Sequence, residues 1–412
     1  MIFIPLIFFI CFFAYFYYEH RHWGMDLAAT SLLITISFCA ILIDINDIYG
    51  DYGINYDNIT LLPIILFCLQ WTPILLILHH LSGLDFSPHL PVKNKTLYLV
   101  AIMVILSSFI VLLNSISAIK DALIMDLADV RNEHYKELSQ GGDSAANYLM
   151  LIPQILTNTP FPTLALFLWF YMKAFMRVPF LIRTGILIAS ILQAITAITM
   201  SGRAAMIYWA FDFFMIYSFF YKYLSSRVKL TINATSSILG SLAATLFISI
   251  TIARFDTGAY SPLASLYGYA GQHVNNFCTM IEKGGDTPLL LDRVFPLFSK
   301  ITGNPYDMVE HYEKLTSFTN ATVNVFDTFG GELYLDLGWF GFIFFILLLS
   351  FVYVYLKSGL KRLEFHHIFL LVILIAFFTH GIFAWPFTYH NTTYAIILMT
   401  LCFYLFKYEF RL

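Results

Sequence analysis

Apolar residues gather along this chain in long uninterrupted runs, parted by short polar connections, from its first residues to its last. A helix that crosses the hydrocarbon of a bilayer needs about 20 mostly apolar residues, within a range of roughly 17–25. Eleven runs meet that requirement: 2–18, 27–45, 59–80, 96–118, 148–172, 180–200, 204–222, 231–252, 337–357, 366–385 and 391–407. The pattern predicts an all-α polytopic membrane protein, with a single transmembrane helical domain over residues 1–412. No basic residue precedes the run Met1–Tyr18 and no small-residue cleavage site follows it, so it reads as a retained span and not a signal peptide.

Two polar stretches break the pattern, 119–147 and 253–336. In the shorter, Ile119, Leu123, Leu127, Val130, His134 and Leu138 fall near helical spacing before Gly141-Gly142, which predicts that the fourth span continues beyond the membrane. The longer stretch carries ten carboxylates, five Lys/Arg and two histidines between Arg254 and Asp336. Within it Ser261-Pro262 is a helix start, and Leu263, Leu266, Tyr267, Ala270, Val274, Phe277 and Ile281 form an apolar stripe that ends at Gly284-Gly285. That helix is expected either to lie flat on the outer leaflet or to pack on the bundle. Asn304-Pro305 opens a second, shorter helix with Glu310 and His311, and the acid excess of the loop reads mostly as solvated surface.

Charge gives the runs a direction. Arg21, Lys93, Lys95, Lys173, Arg177, Arg183, Lys222, Arg227, Lys229, Lys357, Lys361, Arg362, Lys407 and Arg411 all fall on one set of connections, and the positive-inside rule makes that side cytoplasmic. The opposite side holds most of the acids, which puts the N-terminus outside, the C-terminus inside and both polar stretches outside. Composition agrees: 59% of residues are hydrophobic and 12% charged, against roughly a quarter charged in a soluble domain. A net charge of −3 without a basic patch excludes a nucleic-acid partner. Cys11, Cys39, Cys68, Cys278 and Cys402 show neither disulfide nor metal spacing, no Asp-x-Asp occurs, and no cofactor or metal is expected. Phosphate-cradling glycine loops and hydrolase elbows are absent as well.

Against that background a few residues stand out. Arg203, in Ser201-Gly202-Arg203-Ala204-Ala205, is an outer-side cation at a tight hairpin. It reads either as an anchor snorkelling to headgroups or as a phosphate ligand, since a guanidinium offers a fork of donors matching phosphate oxygens. Arg254 lies at nearly the same depth, and together the two could clamp a diphosphate. Arg293 is either a third such ligand or the ion-pair partner of Asp292 or another loop acid. His311 suits proton abstraction near neutral pH, with Glu332 and Asp327 as competitors for the role of base. Asp212, inside a span, is expected to hydrogen-bond another helix. His79, His80, His366 and His367 read as interfacial residues at cytoplasmic span ends, and His390 is a minor candidate beside the last outer turn.

These features resemble the O-antigen polymerase family of bacterial inner-membrane proteins, the Wzy-type oligosaccharide repeat-unit polymerases. Three things carry the likeness: Ser-Gly-Arg203-Ala-Ala opening a span, one long outer loop late in the bundle, and Asn324-Val-Phe-Asp-Thr-Phe followed by Tyr334-Leu-Asp336-Leu-Gly338-Trp-Phe-Gly341. Asp327 interrupts the first part of that run, and Leu337 stands where the family has Phe. The resemblance implies a fold like that of the GT-C type membrane glycosyltransferases and a location in the inner membrane. It also implies transfer of a growing polysaccharide from undecaprenyl diphosphate onto a lipid-linked repeat unit at the periplasmic face. Membrane lipids and a chain-length-regulating co-polymerase are implied partners. The sequence leaves two rivals open: an O-antigen ligase of the same layout, and a lipid-linked oligosaccharide flippase.

Overall fold

The computed structural model describes residues 1–45, 59–86, 94–124, 148–198, 204–255, 262–284, 290–303, 307–319, 323, 326–388 and 390–409. Its helices are, in order, α1 (Phe3–His20), α2 (Met25–Ile45), α3 (Leu61–Gly83), α4 (Asn94–Ile124), α5 (Tyr148–Thr157), α6 (Phe161–Phe175), α7 (Phe180–Ile198) and α8 (Ala204–Phe220). There follow α9 (Ser226–Phe255), α10 (Pro262–Lys283), α11 (Pro296–Ile301), α12 (Met308–Phe318), α13 (Thr328–Gly359), α14 (His367–Gly381) and α15 (His390–Glu409). Among the described residues the only extended pairing is an isolated bridge between Phe86 and Leu363. The all-α expectation holds.

The described parts of the predicted apolar runs lie largely on helix. Among the described residues six helices are long and apolar enough to span a bilayer: Phe3–His20, Met25–Ile45, Leu61–Gly83, Leu97–Ile116, Ala204–Tyr223 and Thr328–Gly359. Phe161–Phe175, Phe180–Leu192 and His367–Gly381 are apolar but shorter. The run 148–172 is not one helix. It breaks between Thr157 and Phe161, where Pro160 supplies no N–H and disfavours helical geometry at the residue before it. On α13 the residues Phe340, Phe344, Leu347, Phe351 and Val354 are all exposed and recur on one face. An outward apolar stripe of this kind suits hydrocarbon, not water.

The helices form two compact units. One comprises residues 1–84, 221–361 and 380–386. Here α2 packs on α1, α3 and α10, and α13 packs on α3 and α10. Large rings fill the centre, with Trp71 edge-on to Phe329 and Phe277 against both Phe67 and Phe342. The helix α10 is thus a member of the bundle, which decides between the two placements open to it. Its polar side is buried too, since His273, Asn275, Asn276 and Thr279 are as enclosed as Val274, Phe277 and Cys278.

The second unit comprises residues 85–220, 362–379 and 387–412. Its core is aromatic, with the ring of Phe220 against Phe167, Phe170 and Phe219, and Phe167 also against Phe219. Asp212 of α8 accepts hydrogen bonds from the hydroxyls of Thr163 on α6, at 2.5 Å, and Thr379 on α14, at 2.6 Å. The interhelical role expected of this carboxylate is the one it has, and it ties three helices together.

Candidate functional site

The long polar stretch is folded into the first unit, and its chemistry collects around a short strap, Leu290–Val294. Two residues of the strap pair with two successive residues of α12. Asp292 Oδ1 lies 2.7 Å from His311 Nδ1, and Arg293 Nη1 donates to the Tyr312 hydroxyl at 2.7 Å. On its other side the strap is fastened to the first half of α13. The Leu290 N–H donates to the Asp336 carbonyl at 3.1 Å, the Val294 N–H to Asp336 Oδ2 at 2.9 Å, and Arg293 forms an ion pair with Glu332. Glu332 and Asp336 are one helical turn apart, so both carboxylates face the strap. Leu315 of α12 packs with Leu335, Met280 and Val323 in an apolar cluster bordered by Leu290 and Tyr312. That apolar contact explains why a short, largely polar helix stays docked.

Asp327 immediately precedes α13, and its carboxyl is fully buried next to that of Glu332. Two adjacent glycines make this possible. A Cβ on Gly331 would lie 2.7 Å from Asp327 Oδ2, and one on Gly330 would run into the Gln70 side chain. Gln70 in turn accepts the Thr328 hydroxyl at 3.1 Å, which fixes the head of α13 against α3.

Electrostatics divides the cluster into two parts. Burial, reinforced by the charge of Glu332, pushes the Asp327 carboxyl well above the usual carboxylate range and so favours its protonated form. Arg293 can then serve Glu332 alone. Burial would also raise Asp292, but the hydrogen bond and charge of His311 outweigh it and hold Asp292 below its ordinary value. An ionised Asp292 can only accept, so the proton between them belongs to His311 Nδ1. Burial pushes the Tyr312 phenol up to about 12, so it stays protonated.

The strap and its neighbours bring four of the sequence candidates together: His311, Glu332, Asp327 and Arg293. The loop acids correct the expectation of a mostly solvated surface. Asp292, Asp327, Glu332 and Asp336 are buried, while Asp307, Glu310 and Glu313 remain exposed. Asp327 and Glu332 belong to the head of α13 and not to an irregular loop. Arg293 is the ion-pair partner of an acid, and that acid is Glu332 rather than Asp292. Arg203 lies outside the described residues. Arg254 belongs to the last turn of α9, its side chain outside the described part, and the same holds for His390 at the start of α15.

Asp292, Tyr312 and Asp336 had no role in the sequence reading beyond a neighbour's partner or a motif letter. Their one available signal was adjacency, since Asp292 precedes Arg293 and Tyr312 follows His311. Side chains that could hold a metal also converge in ways no spacing reveals. Asp292, His311 and Asp336 form one such group, and His20, Asp26 and His79 another. Compared with family models, with curated proteins and with solved structures, the chain matches none.

Proposed function

We propose that the chain polymerises lipid-linked oligosaccharide repeat units at the outer face of a bacterial inner membrane. In this reading it crosses the bilayer eleven times in a GT-C-like arrangement, N-terminus outside and C-terminus inside. The observation that carries the reading is the buried Asp292–His311 pair, cross-braced through Arg293 and Tyr312 to Glu332 and Asp327 at the head of a long apolar helix. A sugar hydroxyl is a poor nucleophile until a base removes its proton. His311 is that base. Its Nε2 takes the acceptor's proton while Asp292 holds the ring and stabilises the imidazolium that forms. The acceptor oxygen bonds to the anomeric carbon of the donor sugar, the bond from that carbon to the diphosphate breaks, and undecaprenyl diphosphate leaves with the electron pair.

The leaving diphosphate needs cationic donors at the headgroup level. Arg203 and Arg254 supply them in this proposal, whereas Arg293 stays with Glu332 and keeps the acid cluster neutralised. Amphiphilic substrates suit a site at the end of an apolar helix. The resemblance adds a chain-length-regulating co-polymerase as partner.

The reading is tested in a host deleted for its own polymerase, with lipopolysaccharide resolved on a gel. The wild-type chain restores a ladder of lengths. His311→Ala and Arg203→Ala, at equal protein level, leave core plus one repeat, with roughly 10²–10⁴-fold less polymer for loss of the base. A normal ladder with His311→Ala removes the base assignment. Bare core in the deletion would instead mark a ligase, and repeat units stranded on the inner leaflet a flippase.

A further inference from the structure

At the opposite end of α3 from its N-terminus, the first unit gathers a second set of ionisable side chains that the proposed reaction does not use. His20 closes α1, Asp26 lies in the first turn of α2, and His79 lies in the last turns of α3. His79 is nine residues beyond Gln70, the α3 residue that touches the head of α13, which is roughly 13 Å of helical rise. His79 Nδ1 lies 2.7 Å from Asp26 Oδ2, and His20 Nε2 lies 3.9 Å from the same oxygen. One ligand atom from each of the three falls within 4.8 Å of the other two. These are not open headgroup positions, because the side chain of Asp26 is 1% exposed and that of His79 9%.

Three observations point to a bound cation. First, His79 Nε2 lies 3.1 Å from Glu19 Oε2. Nε2 is nonetheless buried and forms no hydrogen bond, so this ring nitrogen is left without a hydrogen-bond partner. Nδ1 and the Asp26 carboxylate, 2.7 Å apart, share one positive centre, a proton or an ion in its place. Second, Asp26 Oδ1 is buried without a hydrogen-bond partner, so the carboxylate has coordinating capacity to spare. Third, the backbone makes room for the group. A Cβ on Gly24 would lie 2.6 Å from Asp26 Oδ1, and one on Gly83 would lie 2.5 Å from Cε1 of His20. Phe16, stacked on His79 at 4.2 Å, closes the remaining side.

We propose that His20, Asp26 and His79 form a binding site for a divalent transition-metal ion of the zinc class. Two imidazoles and one carboxylate are a borderline donor set, unlike the all-oxygen shells that magnesium and calcium take. Three protein ligands leave a fourth position for water. Glu19 is the outer carboxylate that fixes the His79 tautomer, as metal-bound histidines commonly require. On binding, His20 gives up its present contact with the His79 carbonyl, 3.2 Å away, and turns to the ion. The ion then fastens the ends of α1, α2 and α3 to one another. A lone proton would account for the Asp26–His79 contact, but not for the buried Asp26 Oδ1 left without a partner beside it.

The test uses the full chain in detergent, purified without a histidine tag, stripped with a chelator and titrated with zinc, then with cobalt as a spectroscopic probe. The expected result is a single zinc ion per chain and visible cobalt bands of a low-coordinate site. Asp26→Asn and His79→Ala lose both, and Glu19→Gln binds roughly 10- to 100-fold more weakly. His311→Ala, inactive in the proposed reaction, retains full zinc, so the outcome stands or falls apart from the proposed polymerase activity. Should Asp26→Asn fail to fold, the wild-type cobalt spectrum and the more exposed His20→Gln decide. No uptake by the stripped wild type at micromolar zinc, or uptake undiminished in His79→Ala, overturns the site.

Discussion

At the scale of single residues, the cluster around the strap is a balance between one buried cation and several buried acids. Arg293 faces Glu332 and Tyr312 with almost no solvent to screen it. Removing one member of a buried pair strands the other charge, at a cost of roughly 3–5 kcal/mol. Glu332→Gln is therefore expected to lower the unfolding temperature sharply in detergent, and the double change Glu332→Gln with Arg293→Met to recover much of the loss. An equally low value for the double variant would mean that the pair's charges are not what matters. Asp327 adds a pH dependence of definite sign. Its folded pKa is raised by burial and by Glu332, so its contribution is complete below the ordinary carboxylate value and is lost as pH rises through the folded value. Asp292 behaves oppositely. Held below its ordinary value, it contributes at neutral pH and loses that contribution in acid. Thermal unfolding of Asp327→Asn should consequently decline less towards alkaline pH than that of the wild type, while its acid limb stays unchanged. Parallel curves for the two proteins would remove the buried proton from Asp327.

At the scale of elements, α13 does two jobs and changes geometry between them. Its first half, Thr328–Leu337, presents Glu332 and Asp336 to the strap, and its second half carries the exposed apolar stripe. Between them Gly338 has φ 64° and ψ −163°, a conformation essentially reserved for glycine. Gly338→Ala is expected to cost about 1–3 kcal/mol and to swing the acids away from the strap. Unfolding midpoint and polymer ladder should fall together, and a fully stable but inactive variant would place the kink in catalysis instead of in folding. The apolar run was legible here, because a hydrophobic stretch of 337–357 declares itself by length. The ten residues ahead of it were not, since Thr-Phe-Gly-Gly-Glu alternates small, polar and apolar residues and reads as loop. Tertiary contacts with Gln70 and the strap stabilise helix there against weak propensity. The break at Pro160 had its signal in plain view. What outweighed it was the hydropathy on both sides.

At the scale of the whole molecule, hydropathy and charge asymmetry are additive along the chain and so survive being read without a fold, whereas a site is made of coincidences. His311 meets Asp292 across 19 positions, and Asp336 meets Val294 across 42. His79 meets Asp26 across 53. No spacing template covers such distances, which is why the acids read as solvated and the histidines of the span ends as interfacial. The directional reading, in contrast, rests on many residues at once and makes a joint prediction. Cations on the Arg21, Lys93–Lys95 and Lys222–Lys229 connections keep those segments inside, and the strap must then lie outside. Alkaline phosphatase, active only beyond the inner membrane, should be active when fused after Lys300 and inactive when fused after Lys95 or Ser225. A strap fusion silent beside active Lys95 and Ser225 fusions would invert the topology. An inverted topology would put His311 and Glu332 in the cytoplasm, where an undecaprenyl diphosphate acceptor site open to the periplasm is impossible. The polymerase reading would then fail while the buried Arg293–Glu332 cluster and the His20–Asp26–His79 site stood unchanged. Sidedness is therefore the experiment that separates what this chain is built from and what it is proposed to do.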